Sequence, residues 1–349
     1  MRVSRDGTTA LLPKTQKNGQ IGPSEKILAY NPRRLRTFRA QLLRWYDTNK
    51  RDLPWRVTKD PYLIWLSEIM LQQTRVAVVK EYYPRFVKRF PTIEVLAGAR
   101  ISSVLAAWSG LGYYRRARGM HAAAREIVRD HGGQFPRTAT ELKLLPGIGR
   151  YTAAAVASIA FGEPAPVVDG NVERVLTRLL GRKLETGAAW ELAGQVLDPA
   201  RPGDFNQAMM ELGATVCLPR QPLCDSCPVH AWCTARGEFG HPVSERRKRA
   251  TLRYCLASRN GSVFLVRRPA DASLMAGMWE LPELPPRLSC EGNPAFKLRH
   301  SITITDFSVE VVPGEPPRGS PGKWIGRSRL AALPLTGLTR KIFRHAGII

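Results

Sequence analysis

The sequence predicts a mostly α-helical domain followed by a smaller α+β domain. From residue 33 to about residue 235, apolar side chains recur at three- and four-residue spacing, as in Leu35, Phe38 and Leu42, which is the period of an amphipathic helix. Beyond residue 250 this period disappears, and short alternating or β-branched runs separated by Gly and Pro indicate strands. The predicted strands are 253–258, 263–267, 302–305 and 307–312.

Composition along the chain predicts four segments. Residues 1–30 are polar and basic without periodicity, so we expect a disordered arm. Residues 31–235 form the helical domain, and 236–250, with glycines, a proline and a run of basic residues, form an exposed linker. Residues 251–349 form the second domain.

The charge balance predicts an anionic partner. The 349 residues contain 53 Lys and Arg against 29 Asp and Glu, a net charge of +24. Nucleic acid is the first candidate, although a basic surface that serves solubility alone is the alternative. No apolar run approaches the roughly 18 residues of a membrane span, and the N-terminus lacks the apolar stretch of a signal peptide. We therefore expect a cytoplasmic protein with no membrane partner.

A glycine-containing turn joins two predicted helices. In Leu145-Pro146-Gly147-Ile148-Gly149 the glycines permit backbone angles that point amide groups outward at a helix N-terminus, where phosphate binds. An ordinary turn between helices would also use Pro and Gly. The helix that follows is rich in alanine, so it can pack closely against a neighbour.

Four cysteines crowd into one short segment. Six, two and five residues separate Cys217, Cys224, Cys227 and Cys233, which places four soft thiolates in a compact loop. This crowding indicates a bound metal in a reducing compartment rather than a disulfide framework. Spacing alone does not distinguish a zinc site from an iron-sulfur cluster. Cys255 and Cys290 lie outside the loop and have no assigned role.

Two carboxylates stand out by their surroundings. Glu68 lies in an apolar helical segment, where a carboxyl group is costly unless it is paired or poised for proton transfer. Its alternative interpretation is a surface residue on one helix face. Asp169 precedes Gly170 and Asn171 at the start of a predicted helix, so it is also a good N-cap residue.

These motifs resemble those of known DNA repair enzymes. Residues 145–155 resemble the helix-hairpin-helix of the DNA glycosylase superfamily that includes endonuclease III, and 167–172 resemble its Gly/Pro-rich loop with a catalytic aspartate. The cysteine spacing resembles that of the iron-sulfur members, which implies a 4Fe-4S cluster. The segment around Glu68 resembles the motif of the MutY family of adenine DNA glycosylases, so the resemblance implies a helix-hairpin-helix glycosylase domain.

The resemblance implies a division of catalytic roles. Breaking an N-glycosidic bond requires an acid for the leaving base and an anion beside the sugar. Glu68 would protonate adenine N7, and Asp169 would stabilise the oxocarbenium-like transition state. Tyr151 stands where strand-cleaving relatives carry a lysine, so we expect hydrolysis without efficient lyase activity. Asn171 would hold Asp169 or the attacking water.

The resemblance also implies the contacts with DNA. The target base must leave the stack before it can react, and the gap must be filled. Tyr113 is expected to insert beside the opposing base, although an aromatic residue after glycine more often only packs. The expected DNA-binding residues are Gln72, Gln73 and Thr74 in a wedge loop, Leu111, Gly112 and Tyr113 in an aromatic element, Gly147 and Gly149 in the hairpin, and Arg220 in the cysteine loop.

The C-terminal domain resembles the Nudix-related domain of MutY proteins. The resemblance rests on the segment 274–282 and on Trp324, while the acidic magnesium-binding box is not recognisable. In that family the domain recognises 8-oxoguanine with a loop that commonly reads Phe-Ser-His. Here the matching stretch is Leu298-Arg299-His300-Ser301, so His300 and Ser301 are the expected lesion-reading residues, with a purely structural His300 as the alternative.

The expected enzyme is a monofunctional adenine DNA glycosylase of base excision repair. Its partner would be double-stranded DNA with adenine opposite 8-oxoguanine or guanine, and it would act as a monomer at a bacterial nucleoid. A thymine or uracil mismatch glycosylase of the same superfamily is the nearest rival. A non-catalytic DNA-binding protein is the second, and it would leave Glu68 and Asp169 dispensable.

Overall fold

A computed structural model describes residues 32–236, 247–284, 294–302 and 304–349. The predicted arm and all but the ends of the predicted linker lie outside these residues. A helical region comes first, as predicted. Its helices are α1 Pro32–Asn49, α2 Pro61–Leu71, α3 Val76–Arg89, α4 Ile93–Gly98, α5 Ile101–Trp108, α6 Arg115–His131, α7 Ala139–Leu142, α8 Arg150–Phe161, α9 Gly170–Leu180, α10 Thr186–Val196 and α11 Pro202–Thr215, with 3₁₀ turns at Pro54–Arg56, Cys224–Ser226 and His230–Trp232.

The helical region contains two hydrophobic cores. One is built from residues between 53 and 167 together with Met278, and the other joins α1 to α9, α10 and α11. Helix α8 lies between them and packs on both α2 and α11. Its run of buried alanines permits this close approach, and Gly203 is needed on α11 because a Cβ there would lie 2.6 Å from the Ser158 carbonyl oxygen. The alanine-rich sequence of α8 thus brings the two halves of the region together.

The predicted helix-hairpin-helix is formed by α7, the turn 145–149 and α8. Thr138 begins α7 with a capping box to Glu141, which satisfies backbone donors at the start of the helix. Gly147 adopts φ +73°, and a Cβ at this position would lie 3.0 Å from Gly119 Cα on α6. Both the backbone angle and the close contact require glycine at position 147. Gly149 caps α8 without a side chain, which leaves the first amides of α8 open to a ligand.

The C-terminal region is an α+β unit, as predicted. Its elements are β1 Lys248–Leu256, β2 Ser258–Arg259, β3 Ser262–Arg267, β4 Trp279–Glu280, β5 Phe296–Ile302, β6 Thr305–Pro313, β7 Gly322–Gly326, α12 Arg327–Leu330 and α13 Gly337–His345. Strands β1, β6 and β5 form one sheet in that order, and β3 pairs with β2, β4 and β7 in a second. The core of this region lies between the sheets and α13.

Two features of this region differ from the sequence-based expectation. Strand β1 begins at Lys248, inside the segment predicted as linker. The predicted strand 302–305 is wrong, because Ile302 ends β5 and pairs with Thr305 at the start of the antiparallel β6. Ile302 and Thr305 lie on the two sides of a chain reversal, and periodicity over four residues cannot tell a strand from the end of a hairpin.

Within the described residues, none of the helices is long and apolar enough to cross a membrane.

Candidate active site

A cavity of about 560 Å³ opens between the two cores of the helical region. Pockets of this size accommodate a small ligand or a single base. The end of α2, the starts of α8 and α9 and one face of α11 line it. All four predicted catalytic residues lie in this lining: Glu68, Tyr151, Asp169 and Asn171.

Glu68 is buried at the wall of the cavity. Only 6% of the residue is exposed, so it is not on a solvent-facing surface of its helix. The Tyr151 hydroxyl donates a hydrogen bond to Glu68 Oε2 at 2.8 Å. Burial raises the pKa of Glu68 to about 7, an effect that the Tyr151 hydrogen bond reduces and the negative charge of Asp169 reinforces. This carboxyl group can therefore carry a proton near neutral pH.

The raised pKa predicts a pH dependence. A general acid works only while protonated, so the rate of a reaction that uses Glu68 should fall roughly tenfold per pH unit above a pKa of about 7. Single-turnover rates between pH 5.5 and 9 would measure this. A rate that stays level or rises across this range would contradict the assignment of Glu68 as the acid.

Asp169 is the N-cap of α9. Its Oδ1 accepts hydrogen bonds from the backbone amides of Asn171 at 2.9 Å and Val172 at 2.7 Å. Its Oδ2 accepts one from Asn171 Nδ2 at 2.9 Å. All three hydrogen bonds are donated to a carboxyl group at the positive end of the α9 dipole. Asp169 therefore caps α9 and at the same time lines the cavity.

The orientation of Asn171 is set by Arg174. One guanidinium nitrogen of Arg174 donates to Asn171 Oδ1 at 2.9 Å and to the Gly213 carbonyl at 2.6 Å. Since the amide oxygen is engaged in this way, the amide nitrogen of Asn171 faces Asp169.

Three charged residues that sequence reasoning missed also line the cavity. Glu211 on α11 is fully buried and pairs with Arg51 at 2.7 Å and Arg56 at 2.6 Å. Burial alone would raise the pKa of Glu211, but the hydrogen bonds from both arginines lower it to about 2. The cavity therefore contains one carboxyl group that can be protonated, Glu68, and another held ionised. Arg51 and Glu211 are 160 positions apart, so no local pattern links them.

The two predicted DNA-contacting loops are neighbours. Half-buried Arg116 on α6 donates to the carbonyls of Ile69 and Leu111, at 2.9 and 3.2 Å, and to that of Gln72, and so joins the loop after α2 to the loop before α6. Gln73 and Tyr113 have left-handed backbones, with φ of +53° and +47°. Such conformations in exposed non-glycine residues often mark functional sites.

The predicted DNA-contacting residues differ in how far they are exposed to solvent. Tyr113 is 48% exposed, although it is an aromatic residue that would normally be buried. Leu111 is buried in the helical core, so its side chain supports the loop and does not face a duplex. Gln72 and Thr74 are half-buried, and Gln72 donates to Thr152 Oγ1 at 3.0 Å. The other exposed members of the predicted set are Gln73, Gly147, Gly149 and Arg220, while Gly112 is half-buried.

Sequence comparison identifies the family. The family model described as HhH-GPD superfamily base excision DNA repair protein matches residues 66–192. A mouse (Mus musculus) adenine DNA glycosylase is 37% identical over an alignment that covers 88% of this chain and 77% of that protein. The chain belongs to the adenine DNA glycosylase family. The human (Homo sapiens) adenine DNA glycosylase is 52% identical over 57% of this chain, which spans only 39% of that protein's length.

Solved structures share the fold of this family member. A thermostable thymine-DNA glycosylase superposes with a TM-score of 0.55 at 34% identity, covering 59% of this chain and 97% of that one. A non-covalent endonuclease III-DNA complex superposes with a TM-score of 0.52 at 23% identity, covering 60% of this chain and 97% of that one. The predicted resemblance and fold class are confirmed, and about two fifths of the chain has no counterpart in these two structures.

The four cysteines of this adenine DNA glycosylase family member follow α11. All four are half-buried. Burial, together with the nearby thiols of the other three cysteines, raises the pKa of Cys227 to about 11. Buried Arg178 on α9 donates to Cys217 Sγ at 3.3 Å and to the Leu218 carbonyl at 2.7 Å. Across the described residues, no three His, Cys, Asp or Glu side chains are already arranged as metal ligands.

His300 and Ser301 do not line the cavity. Both lie in strand β5 near the hairpin end, where a loop was expected. Ser301 is exposed and donates to Asp306 Oδ1 at 2.6 Å. Half-buried His300 has a pKa lowered by burial and by nearby Lys341. The two residues are therefore part of the C-terminal sheet and not of the cavity in the helical region.

Proposed function

We propose that this chain hydrolyses the N-glycosidic bond of adenine flipped out of duplex DNA, where the adenine lies opposite 8-oxoguanine or guanine. The observation that carries the proposal is a protonatable, buried Glu68 and an N-capping Asp169 on the walls of one base-sized cavity. Membership in the adenine DNA glycosylase family supports adenine excision in base excision repair.

The two carboxyl groups supply complementary chemistry. Glu68 delivers its proton to N7 of the flipped adenine as the bond between C1′ and N9 breaks, so that neutral adenine leaves. Ionised Asp169 stabilises the positive charge that develops on the sugar. Water then adds to C1′ and returns a proton to Glu68, which leaves an abasic site. Tyr151 and Asn171 hold the two carboxyl groups in place through the hydrogen bonds described above.

A panel of duplexes tests the proposal. Single-turnover assays would compare adenine opposite 8-oxoguanine, guanine and thymine with thymine opposite guanine. We expect adenine release, fastest opposite 8-oxoguanine. Thymine release without adenine release would support the rival mismatch glycosylase. This rival is worth testing because a thymine-DNA glycosylase is 34% identical to this chain. Binding of every duplex without base release would support the non-catalytic rival.

The absence of a suitable amine predicts that the enzyme is monofunctional. A lyase needs an amine to form a Schiff base with the sugar, and Tyr151 offers only a phenol. Among the described residues that line the cavity, none is a lysine. We expect strand breaks only after alkali treatment of the reaction product and no borohydride-trapped protein–DNA adduct. Abundant trapped adduct on an adenine substrate would overturn this prediction.

We propose that Cys217, Cys224, Cys227 and Cys233 hold a 4Fe-4S cluster. Four closely spaced thiols are the ligand set that such a cluster takes, and the N–H of Arg178 already points at one of the sulfurs. A bound cluster would hold the loop that carries Arg220, which we propose contacts a DNA phosphate. We expect about four irons per chain and an absorbance band near roughly 400 nm. One zinc per chain without this band would contradict the proposal.

We propose that His300 and Ser301 face the base opposite the adenine. Their place near the end of the β5–β6 hairpin and the exposure of Ser301 support this role. We propose that the monomer is the active form. We also propose that 31–235 and 251–349 are the two domains, joined by the linker 236–250, and that the enzyme acts in a bacterial cytoplasm.

A further inference from the structure

The segment between α5 and α6, residues 109–114, is held from two sides. From the helical region, the Tyr82 hydroxyl donates to the Ser109 carbonyl at 3.0 Å. From the C-terminal region, the Leu335 carbonyl accepts a hydrogen bond from Ser109 Oγ at 2.6 Å, and Arg340 Nε donates to the same hydroxyl at 3.0 Å. The Tyr114 hydroxyl also points at the Leu335 carbonyl, at 3.4 Å.

These contacts lie in a packed interface. Ser109 is 2% exposed, and both Tyr114 and Leu335 are buried. Met278 of the C-terminal region is fully buried within the core of the helical region, and Arg118 on α6 donates to the Ala276 carbonyl. Hydrogen bonds in such a dry interface cannot be replaced by water without cost, so they hold the segment in one position.

The stretch between these anchors has an unusual backbone. Gly110, Gly112 and Tyr113 all have positive φ, at +108°, +71° and +47°. A tyrosine does not adopt this conformation by local preference, and it persists only where surrounding contacts impose it. The four contacts at Ser109 and Tyr114 flank this stretch, and three of them involve the C-terminal region.

We propose that Ser109 and Arg340 are positioning residues through which the C-terminal region sets the Tyr113 loop for opening the duplex. The inference rests on the proposed function, because Tyr113 must act on DNA for its position to matter. The region that faces the opposing base would thereby also determine how well the helical region extrudes the adenine.

Two substitutions test the coupling. Ser109→Ala removes the hydroxyl and leaves the Leu335 carbonyl and the Arg340 guanidinium in place. Arg340→Leu removes the guanidinium that donates to this hydroxyl. We expect each to lower the single-turnover rate on duplex with adenine opposite 8-oxoguanine by about tenfold. The double variant should lose no more than Ser109→Ala alone, because the hydroxyl of Ser109 is the group through which Arg340 acts. Arg344→Leu, an exposed arginine one turn further along α13, is the matched control and should retain the full rate.

A substrate that is already open separates positioning from general damage. With the adenine in a three-nucleotide bubble there is little stacking to overcome, so the Ser109→Ala rate should return to that of the unmodified chain. Tyr113→Ala should show the same pattern. An equal loss on bubble and duplex, or a full rate on duplex, would overturn the proposal.

Fluorescence of 2-aminopurine at the target position measures extrusion of the base directly, so this test does not depend on catalysis. The signal rises when the base leaves the stack, and we expect Ser109→Ala to reduce this rise on duplex and not on the bubble. An unchanged rise would refute the coupling. If the unmodified chain extrudes the base and releases no adenine, the proposed function fails while the coupling is still measured.

Discussion

Replacing Glu68 with Gln is expected to slow adenine excision by about 10²- to 10⁴-fold in a single-turnover assay. An amide cannot donate the proton that the leaving adenine needs, while its oxygen can still accept the hydrogen bond from Tyr151. The two side chains have nearly the same shape, so the cavity should keep its form. The affinity for duplex DNA should change by no more than a few-fold, because Glu68 is buried and lies away from phosphate-binding surfaces.

The matched control for this substitution is Glu191→Gln. Glu191 is an exposed glutamate on α10 that does not line the cavity, so the same chemical change there should leave the rate unaltered. Near-normal turnover by Glu68→Gln would remove the acid from the mechanism. Equal losses in both variants would show that the effect has nothing to do with the cavity.

Replacing Asp169 with Asn is expected to cost a similar factor, about 10²- to 10⁴-fold in rate, by a different route. Asn is as good an N-cap as Asp, so the hydrogen bonds from the amides of Asn171 and Val172 can persist. The negative charge beside the sugar is lost. The new amide nitrogen would face Asn171 Nδ2, and this lost hydrogen bond should cost about 1 kcal/mol of stability.

A comparison with Asp169→Ala separates capping from catalysis. The alanine variant loses both the charge and the cap, so its free energy of unfolding should fall by roughly a further 1 kcal/mol. Denaturant unfolding would measure stability, and single-turnover assays would measure the rate. If Asp169→Asn kept its rate and only Asp169→Ala lost activity, Asp169 would be a structural cap alone.

Local patterns were sufficient to predict several parts of this molecule. The helical period, the turn at Gly147 and Gly149 and the crowding of four cysteines each depend on residues close together in sequence. The catalytic pair was harder, because Glu68 and Asp169 are a hundred positions apart, and only the resemblance to known motifs linked them. The structure adds that both line one cavity and gives the physical reason for the raised pKa of Glu68.

Other features depend on packing that no short window of sequence records. The ion pairs of Glu211 with Arg51 and Arg56, and the contact of Ser109 with Leu335, join residues more than 150 positions apart. Likewise, β1 and β6 are hydrogen-bonded parallel neighbours although the strands of the second sheet lie between them in the sequence, and alternation within either strand cannot reveal this pairing. Periodicity reports which side of an element is buried, and the partner buried against it is set by the whole fold.

By itself, the sequence determined the classes of element, the hairpin and the cysteine loop, since each follows from residue type and spacing, whereas the two carboxylates were paired only through the resemblance to known motifs. The tertiary structure alone decided that Glu68 is buried enough to hold a proton near pH 7, that three N–H groups donate to the carboxyl group of Asp169, and that the C-terminal region contacts the loop of Tyr113. Desolvation and hydrogen bonding act over a few ångströms in space, and chain distance places no limit on which residues supply them.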